Sequence, residues 1–362
     1  MSTPTPQPVL VTGGTGFIGQ HLVRRLLDRG LAVWCLARPR QHGDTRVDVL
    51  RSLGATVVAG DVIDPPSVER ALAESRAGMV FHLAGLLRAR RWGAGSGDYL
   101  RVNAAGVDCV AAACAACATP PVLLVVSSLA AAGPSVPGAL RVEGDRPQPT
   151  SKYGRSKLAG EHAAARFGGV VPITIVRPPI VFGPGDRAVL EMFRSIARWG
   201  VHLAPGWRSH RGECGYALVH VDDLVEGLLL AAEKGERMGE QTDPQRPAGR
   251  GIYFVAGDEH PTYTQLGHAI ATALGREPPL VLRVPGPALR LVGFGGDVVG
   301  LIRGYRGTPP WLNSDKVSEA LAAGAWTCSA AKARAQLGWS PAMPLLERVR
   351  ETADWYRSAG WL

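Results

Sequence analysis

Tyr153 and Lys157, in the run Tyr153-Gly154-Arg155-Ser156-Lys157, set a phenol and an ammonium four residues apart. Residues at i and i+4 share one helix face, so on a helix the two side chains meet. Lysine is scarce in this chain, occurring only at 152, 157, 234, 316 and 332 among forty basic residues, which singles out position 157. Guanidinium is a planar fork, whereas ammonium is a compact point charge that can sit beneath a phenol oxygen and still donate to a ribose. A phenol with its ordinary pKa of about 10 is a poor base at neutral pH. A cation about 4 Å away, at an effective dielectric of about 20, favours phenolate by roughly 4 kcal/mol before desolvation is subtracted. The expectation is a Tyr153 brought near working pH, where general acid/base catalysis is efficient.

Such a pair needs a reactant and a frame. The run 8–12 is apolar and leads into Gly13-Gly14-Thr15-Gly16-Phe17-Ile18-Gly19, where Gly13, Gly16 and Gly19 give a GxxGxxG variant of the dinucleotide fingerprint. One glycine makes the tight turn, one lets backbone approach a pyrophosphate, and one lets helix pack on strand. The pyrophosphate then rests on the helix N-terminus. The second strand ends at Arg38, followed by Pro39 and Arg40, with no carboxylate to bind both ribose hydroxyls of NAD. An arginine there pairs with a 2′-phosphate, so NADP(H) is preferred and NAD(H) remains possible. Asp61, after the third strand, is placed to contact the adenine amino group, and His82-Leu83-Ala84-Gly85 ends the fourth strand beneath the nicotinamide-side ribose.

Further strands are expected at 32–37, 56–59, 79–83, 122–127 and 172–176, with helices at about 16–29, 65–75, 98–118 and 151–167. The alternation predicts an α/β protein built on a doubly wound parallel sheet, the Rossmann fold. After Arg177 the rhythm breaks at Pro178, Pro179, Pro184 and Gly185. A strand near 217–220, a helix at 222–233, a strand at 252–256 and a polar loop at 235–251 follow, and the chain from 262 reads as mainly helical. The expected division is a cofactor domain of residues 1–185 and 212–260 and a smaller, mainly helical substrate domain of 186–211 and 261–362.

A net charge of +9 could suggest nucleic acid, but the basic residues are scattered, apart from Arg88-Ala89-Arg90-Arg91, with no basic stripe interleaved with aromatics. A phosphorylated small molecule accounts for the charge as well. Residues 1–8 lack a basic region before an apolar stretch, so no secretory signal is expected. The apolar stretch 287–304 is interrupted by Arg290, Asp297 and Arg303, too short and too charged to span a bilayer. It reads as a helix covering a pocket, with membrane-surface contact as the alternative. Cys109, Cys114 and Cys117 have the spacing of an iron-sulfur ligand set, yet they lie in an alanine-rich helical run. They are expected to be reduced packing residues of a cytoplasmic protein with no metal site.

Val125-Val126-Ser127-Ser128 is an apolar strand ending in two serines at the edge where doubly wound sheets bind ligands. Taken with the glycine turn and the Tyr153/Lys157 pair, it closely resembles the extended short-chain dehydrogenase/reductase family. The similarity continues through AspVal at 61–62, HisLeuAlaGly at 82–85, ValAsn at 102–103, ArgProProIleValPheGlyProGlyAsp at 177–186 and HisValAspAsp at 220–223. The resemblance implies Ser128 as the hydroxyl on the carbonyl side, Tyr153 as acid/base and Lys157 as its partner. It adds Thr15, Phe17, Ile18, Val62, Leu83, Ala84, Gly85, Pro178 and Ile180, with Tyr153 and Lys157 themselves, to the cofactor contacts. It also implies a homodimer through the helices at about 98–118 and 151–167. Asn103 matches a family position near the active-site helix, with a structural or a catalytic role.

Within the family, a dehydratase carries an acid pair after the serine, whereas here Leu129 and Ala130 cannot move protons. Sugar epimerases carry an Asn after the sixth strand and an Arg before the HisValAspAsp-like strand. This chain has Pro178-Pro179 and Tyr216-Ala217-Leu218-Val219 instead, which looks more like the hydroxysteroid dehydrogenase and dihydroflavonol reductase branch. Leu86, Leu87, Phe193 and Trp207, with Trp92 and Trp199, suit an apolar substrate or serve as ordinary core. The expected activity is interconversion of a ketone and a secondary alcohol on a small, largely apolar molecule. Arg208 and Arg211 could still bind a diphosphate, which keeps a nucleotide-sugar epimerase with tightly bound NAD(P) as the alternative. A non-catalytic cofactor sensor is a third reading, opposed by the intact Ser128, Tyr153 and Lys157.

Overall fold

In the computed structural model the described residues are 7–38, 45–87, 96–136, 138–206, 213–240, 248–291, 294, 317–319 and 324–362. Their strands are β1 Val9–Thr12, β2 Val33–Ala37, β3 Thr56–Ala59, β4 Met79–His82, β5 Val122–Val126, β6 Ile173–Arg177, β7 Ile180–Phe182, β8 Val201–Gly206, β9 Leu218–His220, β10 Ile252–Phe254 and β11 Leu280–Pro285. The helices are α1 Phe17–Asp28, α2 Thr45–Ser52, α3 Pro65–Ser75, α4 Ser96–Asn103, α5 Ala105–Ala115, α6 Leu129–Ala132, α7 Lys152–Ala165, α8 Leu190–Trp199, α9 Val221–Lys234, α10 Tyr263–Leu274, α11 Ala331–Leu337 and α12 Leu345–Ser358.

Seven strands form one sheet in the order β10-β6-β5-β4-β1-β2-β3, and every pairing in it is parallel. Alternate residues of each strand enter opposite layers. Val9 and Val11 pack with Leu22 and Leu26 of α1 and Leu224 and Leu228 of α9, while Leu10 packs with Val68 of α3 and Val107 of α5. Covering both faces is why these strands read as unbroken apolar runs. Each fully buried Leu or Val contributes roughly 2 kcal/mol through its area alone. Strand order reverses at β1, which lies between β2 and β4, so a crevice opens outside the carboxyl ends of β1 and β4.

The helix expected over 98–118 is two helices, α4 and α5, separated at Ala104. Gly160 of α7 packs so closely on the Asn103 carbonyl that a Cβ there would overlap it. Of the C-terminal helices, α11 packs into the sheet's core through Ala333 and Leu337, whereas α10 and α12 do not. α8, α10 and α12 enclose their own apolar cluster, including Leu190, Ile196, Ile270 and Tyr356. Beside them β8 and β11 form a separate two-stranded parallel pair that period-2 reading did not anticipate. Among the described residues no helix is long and apolar enough to cross a membrane.

Candidate active site

The glycine turn is shaped for an anion. Gly13 has φ +77°, and a Cβ on it would lie 2.6 Å from the Ala84 nitrogen of neighbouring β4's exit. A Cβ on Gly19 would overlap the Gly13 carbonyl. The N-cap of α1 is Gly16, with no side-chain cap and no acid in the first turn, so its backbone N–H groups and positive dipole end are offered to a ligand. Leu83 and Ala84 hang on Thr12, whose carbonyl accepts from Leu83 N at 3.0 Å and whose Oγ1 accepts from Ala84 N at 3.4 Å. Arg38 is exposed at the tip of β2. Asp61 accepts from Ile63 N at 3.3 Å through Oδ1, and Val62 is buried against Gly106 of α5. These residues fit a dinucleotide along the edges of β1, β2 and β4.

Across the crevice, β5 sends Ser127 inward and Ser128 outward, as strand alternation requires. Ser128 caps α6, accepting from Ala130 N at 3.1 Å, and hydrogen-bonds the Tyr153 hydroxyl. Gly154 lets α7 approach α6 this closely, because a Cβ there would overlap the Ala130 carbonyl. Lys157, buried one turn after Tyr153, donates from Nζ to the Val126 carbonyl at 2.6 Å. Leu129 and Ala130 are buried in α6. Asn103 grips the loop after β4 through both backbone groups of Leu86: Oδ1 accepts from Leu86 N at 2.6 Å and Nδ2 donates to Leu86 O at 3.0 Å. The same Nδ2 donates to Ser156 Oγ at 2.8 Å, which ties that loop to α7.

One expectation is corrected here. Lys157 does not bring the phenol towards neutrality. Burial pushes the Tyr153 phenol above its usual range, with the Ser128 hydrogen bond opposing. Burial also lowers the Lys157 ammonium to about 8, with Glu161 opposing. Desolvation is the largest cause of both shifts, and the ammonium is directed at a strand carbonyl.

Behind α7 lies a network that motif matching did not reveal. Arg177, at the end of β6, holds Glu161 with Nε and Nη2 at 2.9 and 2.5 Å, and Ser127 donates to the same carboxylate. Glu161 follows Lys157 by four residues, so the helical period was a signal for it. His82, also buried, shares a 2.9 Å hydrogen bond with Thr12 Oγ1, and its Nε2 has no partner.

Pro178 is buried and its carbonyl accepts from Leu129 N at 2.8 Å, while Ile180 and Leu87 are exposed and Leu86 is half-buried. Phe193 is 1% exposed and packs edge-on against Tyr356, so it belongs to the core of the helical layer. Trp207, Trp92, Arg208, Arg211, Pro39 and Arg40 lie outside the described residues. Cys109 and Cys114 of α5 and Cys117, two residues past its end, are free thiols: burial raises Cys114 to about 12, and Cys117 Sγ donates to the Ala113 carbonyl at 3.4 Å. His220, Asp222 and Glu351 bring possible metal-ligating atoms within 4.8 Å, but Asp222 is held by His21 at 3.0 Å and Glu351 by Arg348 at 2.7 Å.

A parallel sheet of this order, a glycine turn open to pyrophosphate and a Ser-Tyr-Lys cluster at its carboxyl edge define an NAD(P)-dependent enzyme of the extended short-chain dehydrogenase/reductase type. Residues 9–243 match the NAD dependent epimerase/dehydratase family, and the chain belongs to that family. It is 32% identical over 366 aligned positions to a ceramide reductase from Caulobacter vibrioides, covering 100% of this chain and 98% of that one. It is 27% identical over 263 positions to UDP-glucuronate 4-epimerase 2 of Arabidopsis thaliana, covering 70% of this chain and 60% of the other. The structure of UDP-glucose 4-epimerase from Thermus thermophilus in complex with NAD superposes with a TM-score of 0.72 at 26% identity, covering 98% of this chain and all of that one.

Proposed function

We propose that this protein is an NADP(H)-preferring oxidoreductase that interconverts a ketone and a secondary alcohol on a largely apolar molecule, a lipid ketone foremost. The carrying observation is the Ser128–Tyr153 hydrogen bond at the sheet edge, followed by Leu129 and Ala130 rather than an acid pair. The full-length similarity to a ceramide reductase supports reduction of a lipid ketone. A bound nicotinamide cofactor supplies the hydride. Tyr153, kept protonated by burial, gives its proton to the carbonyl oxygen as charge develops there, and Ser128 donates a hydrogen bond to the same oxygen. Lys157, beneath the pair, supplies positive charge that offsets the phenolate left behind. In oxidation each group runs in reverse.

In this reading the sheet domain, 1–185 and 212–260, holds the cofactor and the remainder shapes the substrate pocket, with Leu86 and Leu87 on its rim. Arg38 selects the 2′-phosphate. The protein works as a cytoplasmic homodimer through α4, α5 and α7. Nucleotide-sugar epimerisation is the second reading, favoured by the similarity to UDP-sugar 4-epimerases.

Cofactor stoichiometry separates the two. With a panel of long-chain ketones, including an N-acylated amino ketone, a reductase oxidises NADPH in proportion to product, whereas an epimerase returns its hydride and leaves NADPH unchanged. Tyr153→Phe should lower kcat about 10²- to 10⁴-fold. Full turnover in that variant rejects the assignment. Loss of a charge-assisted contact in Arg38→Ala should weaken NADP(H) binding about tenfold or more while sparing NAD(H). Equal losses remove the proposed selectivity.

A further inference from the structure

The two strands outside the main sheet carry an apolar face that is open to solvent. β8 and β11 pair in parallel, with Val201 opposite Leu280, His202 opposite Val281 and Leu203 opposite Leu282. Alternation sends His202 and Ala204 inward, where both are buried and His202 Nε2 lies 2.9 Å from the Tyr263 carbonyl. It sends Leu203 outward, 44% exposed, beside its register partner Leu282, also 44% exposed, and Leu280 on the same face at 63%. Parallel strands are ordinarily covered on both faces, and a two-stranded pair is marginal without such cover. Here only the inner face has it.

The face continues at both ends. Trp199 closes α8 two residues before β8 and is exposed, with the Arg198 guanidinium over its ring at 5.9 Å. β11 runs into a helical turn at 286–291, where Leu291 is exposed, as is Phe294 beyond it. Arginines border this surface: Arg198 and Arg276 stand before the two strands, Arg283 within β11 and Arg290 after it, all exposed. Among the described residues only Arg283 of the four has an ion-pair partner, Glu213. Glu277 is the one acid in the stretch 276–294.

We propose that this face docks the protein peripherally on a phospholipid bilayer containing anionic lipid. The leucines enter the boundary between headgroups and acyl chains, and Trp199 sits at headgroup level, where an indole keeps its polar edge wet. Guanidinium forks meet lipid phosphates while their stems lie along the apolar surface. A second copy of the chain is the poorer occupant, because a two-fold contact sets one patch against itself and brings like charges together. Docking goes beyond the redox reading and does not depend on it. With a lipid ketone as substrate, it sets the enzyme at the phase in which that substrate dissolves.

The test is flotation of the full chain with vesicles of phosphatidylcholine, with and without roughly 30% phosphatidylglycerol. Native protein should float with the anionic vesicles, and the bound fraction should fall as salt rises. Leu203→Glu combined with Leu282→Glu should weaken partition about tenfold or more. Arg276→Ala combined with Arg290→Ala should weaken it by about fivefold per charge removed. Trp199 emission, taken as the difference from Trp199→Phe, should shift to the blue on the vesicles as the indole leaves water. Val170→Glu, at an exposed valine before β6, should change nothing, and a loss there equal to that of the leucine variant overturns the inference. Should the double leucine variant not fold, Leu280→Glu alone carries the test in the same direction. No flotation of the native protein, or equal flotation of native and folded leucine variants, overturns the inference. A fall in solution mass on leucine substitution without vesicles also overturns it, since the face is then a contact between copies. Flotation needs no turnover: protein that floats but reduces no ketone keeps the docking face and loses the reductase reading, and the reverse result does the opposite.

Discussion

Arg177–Glu161 and Arg348–Asp223 are both ion pairs withdrawn from water, with side-chain exposures of 2% and 4% in the first and 8% and 5% in the second. Both arginines grip their carboxylates through two nitrogens. Their settings differ. Arg177–Glu161 joins β6 to α7 inside the sheet region, shares its carboxylate with Ser127 and sits one turn beyond Lys157. Arg348–Asp223 joins α12 to the first turn of α9 across 125 residues, and Asp223 also receives Ala342 N at 3.1 Å and, at its carbonyl, Trp339 Nε1 at 2.8 Å. The same chemistry thus backs a reactive helix in one place and fastens the C-terminal layer in the other. Each region also holds a buried neutral histidine: burial and then Lys157 lower His82 to about 3, and burial and then Arg348 lower His220 to about 4.

Breaking either pair on one side should produce the largest change. Glu161→Ala and Asp223→Ala each strand a buried guanidinium and should cost about 3–5 kcal/mol in urea unfolding. Replacing both partners by apolar residues separates the roles, because a well-packed apolar pair often matches a buried ion pair in stability. Glu161→Leu with Arg177→Met, and Asp223→Leu with Arg348→Met, should each recover most of the lost stability. Ketone reduction should return only in the second double variant. Equal recovery of activity would reduce the first pair to packing.

A smaller and common effect concerns pH. The unfolded chain protonates histidine near 6.5, whereas native His220 and His82 resist protonation until about 4 and about 3. The stability they contribute is full above about 6.5 and declines as pH falls through that value towards 4. His82→Asn or His220→Asn should flatten the fall of thermal midpoint between pH 6.5 and 4, and an unaltered slope in both would show that other groups govern it. The smallest effect belongs to the surface. Arg29 bridges Glu226 and Glu233 of α9 at 2.9 and 2.8 Å, yet it is part-exposed, so Arg29→Ala should cost at most about 1 kcal/mol. A loss as large as that of the buried pairs would mean that exposure does not distinguish them.

Much of the site was legible because its signals are local. Val9–Thr12, the glycine turn and α1 follow one another in sequence, and the order apolar strand, glycine, helix needs no distant partner. Tyr153 and Lys157 share a face through the helical period, and Ser128 falls at a strand end that alternation exposes. The break at Ala104 was not legible, since it accompanies the close packing of Gly160 from another helix on Asn103. Phe193 could be read from sequence as pocket or core, and only its contact with Tyr356 places it in core. Glu319, which accepts from the Ser151 hydroxyl at the N-cap of α7, carried no motif at all, because that link spans 168 residues.

The order of strands and helices, the glycines that a pyrophosphate-sized approach demands and the residue types of the Ser-Tyr-Lys cluster are determined by the sequence alone, because each depends on neighbours within a few positions. Tertiary structure decided which charges are felt where. Whether Lys157 lowers the phenol of Tyr153, or burial raises it, depends on desolvation by packing, which is not written in the spacing of the residues that carry the chemistry.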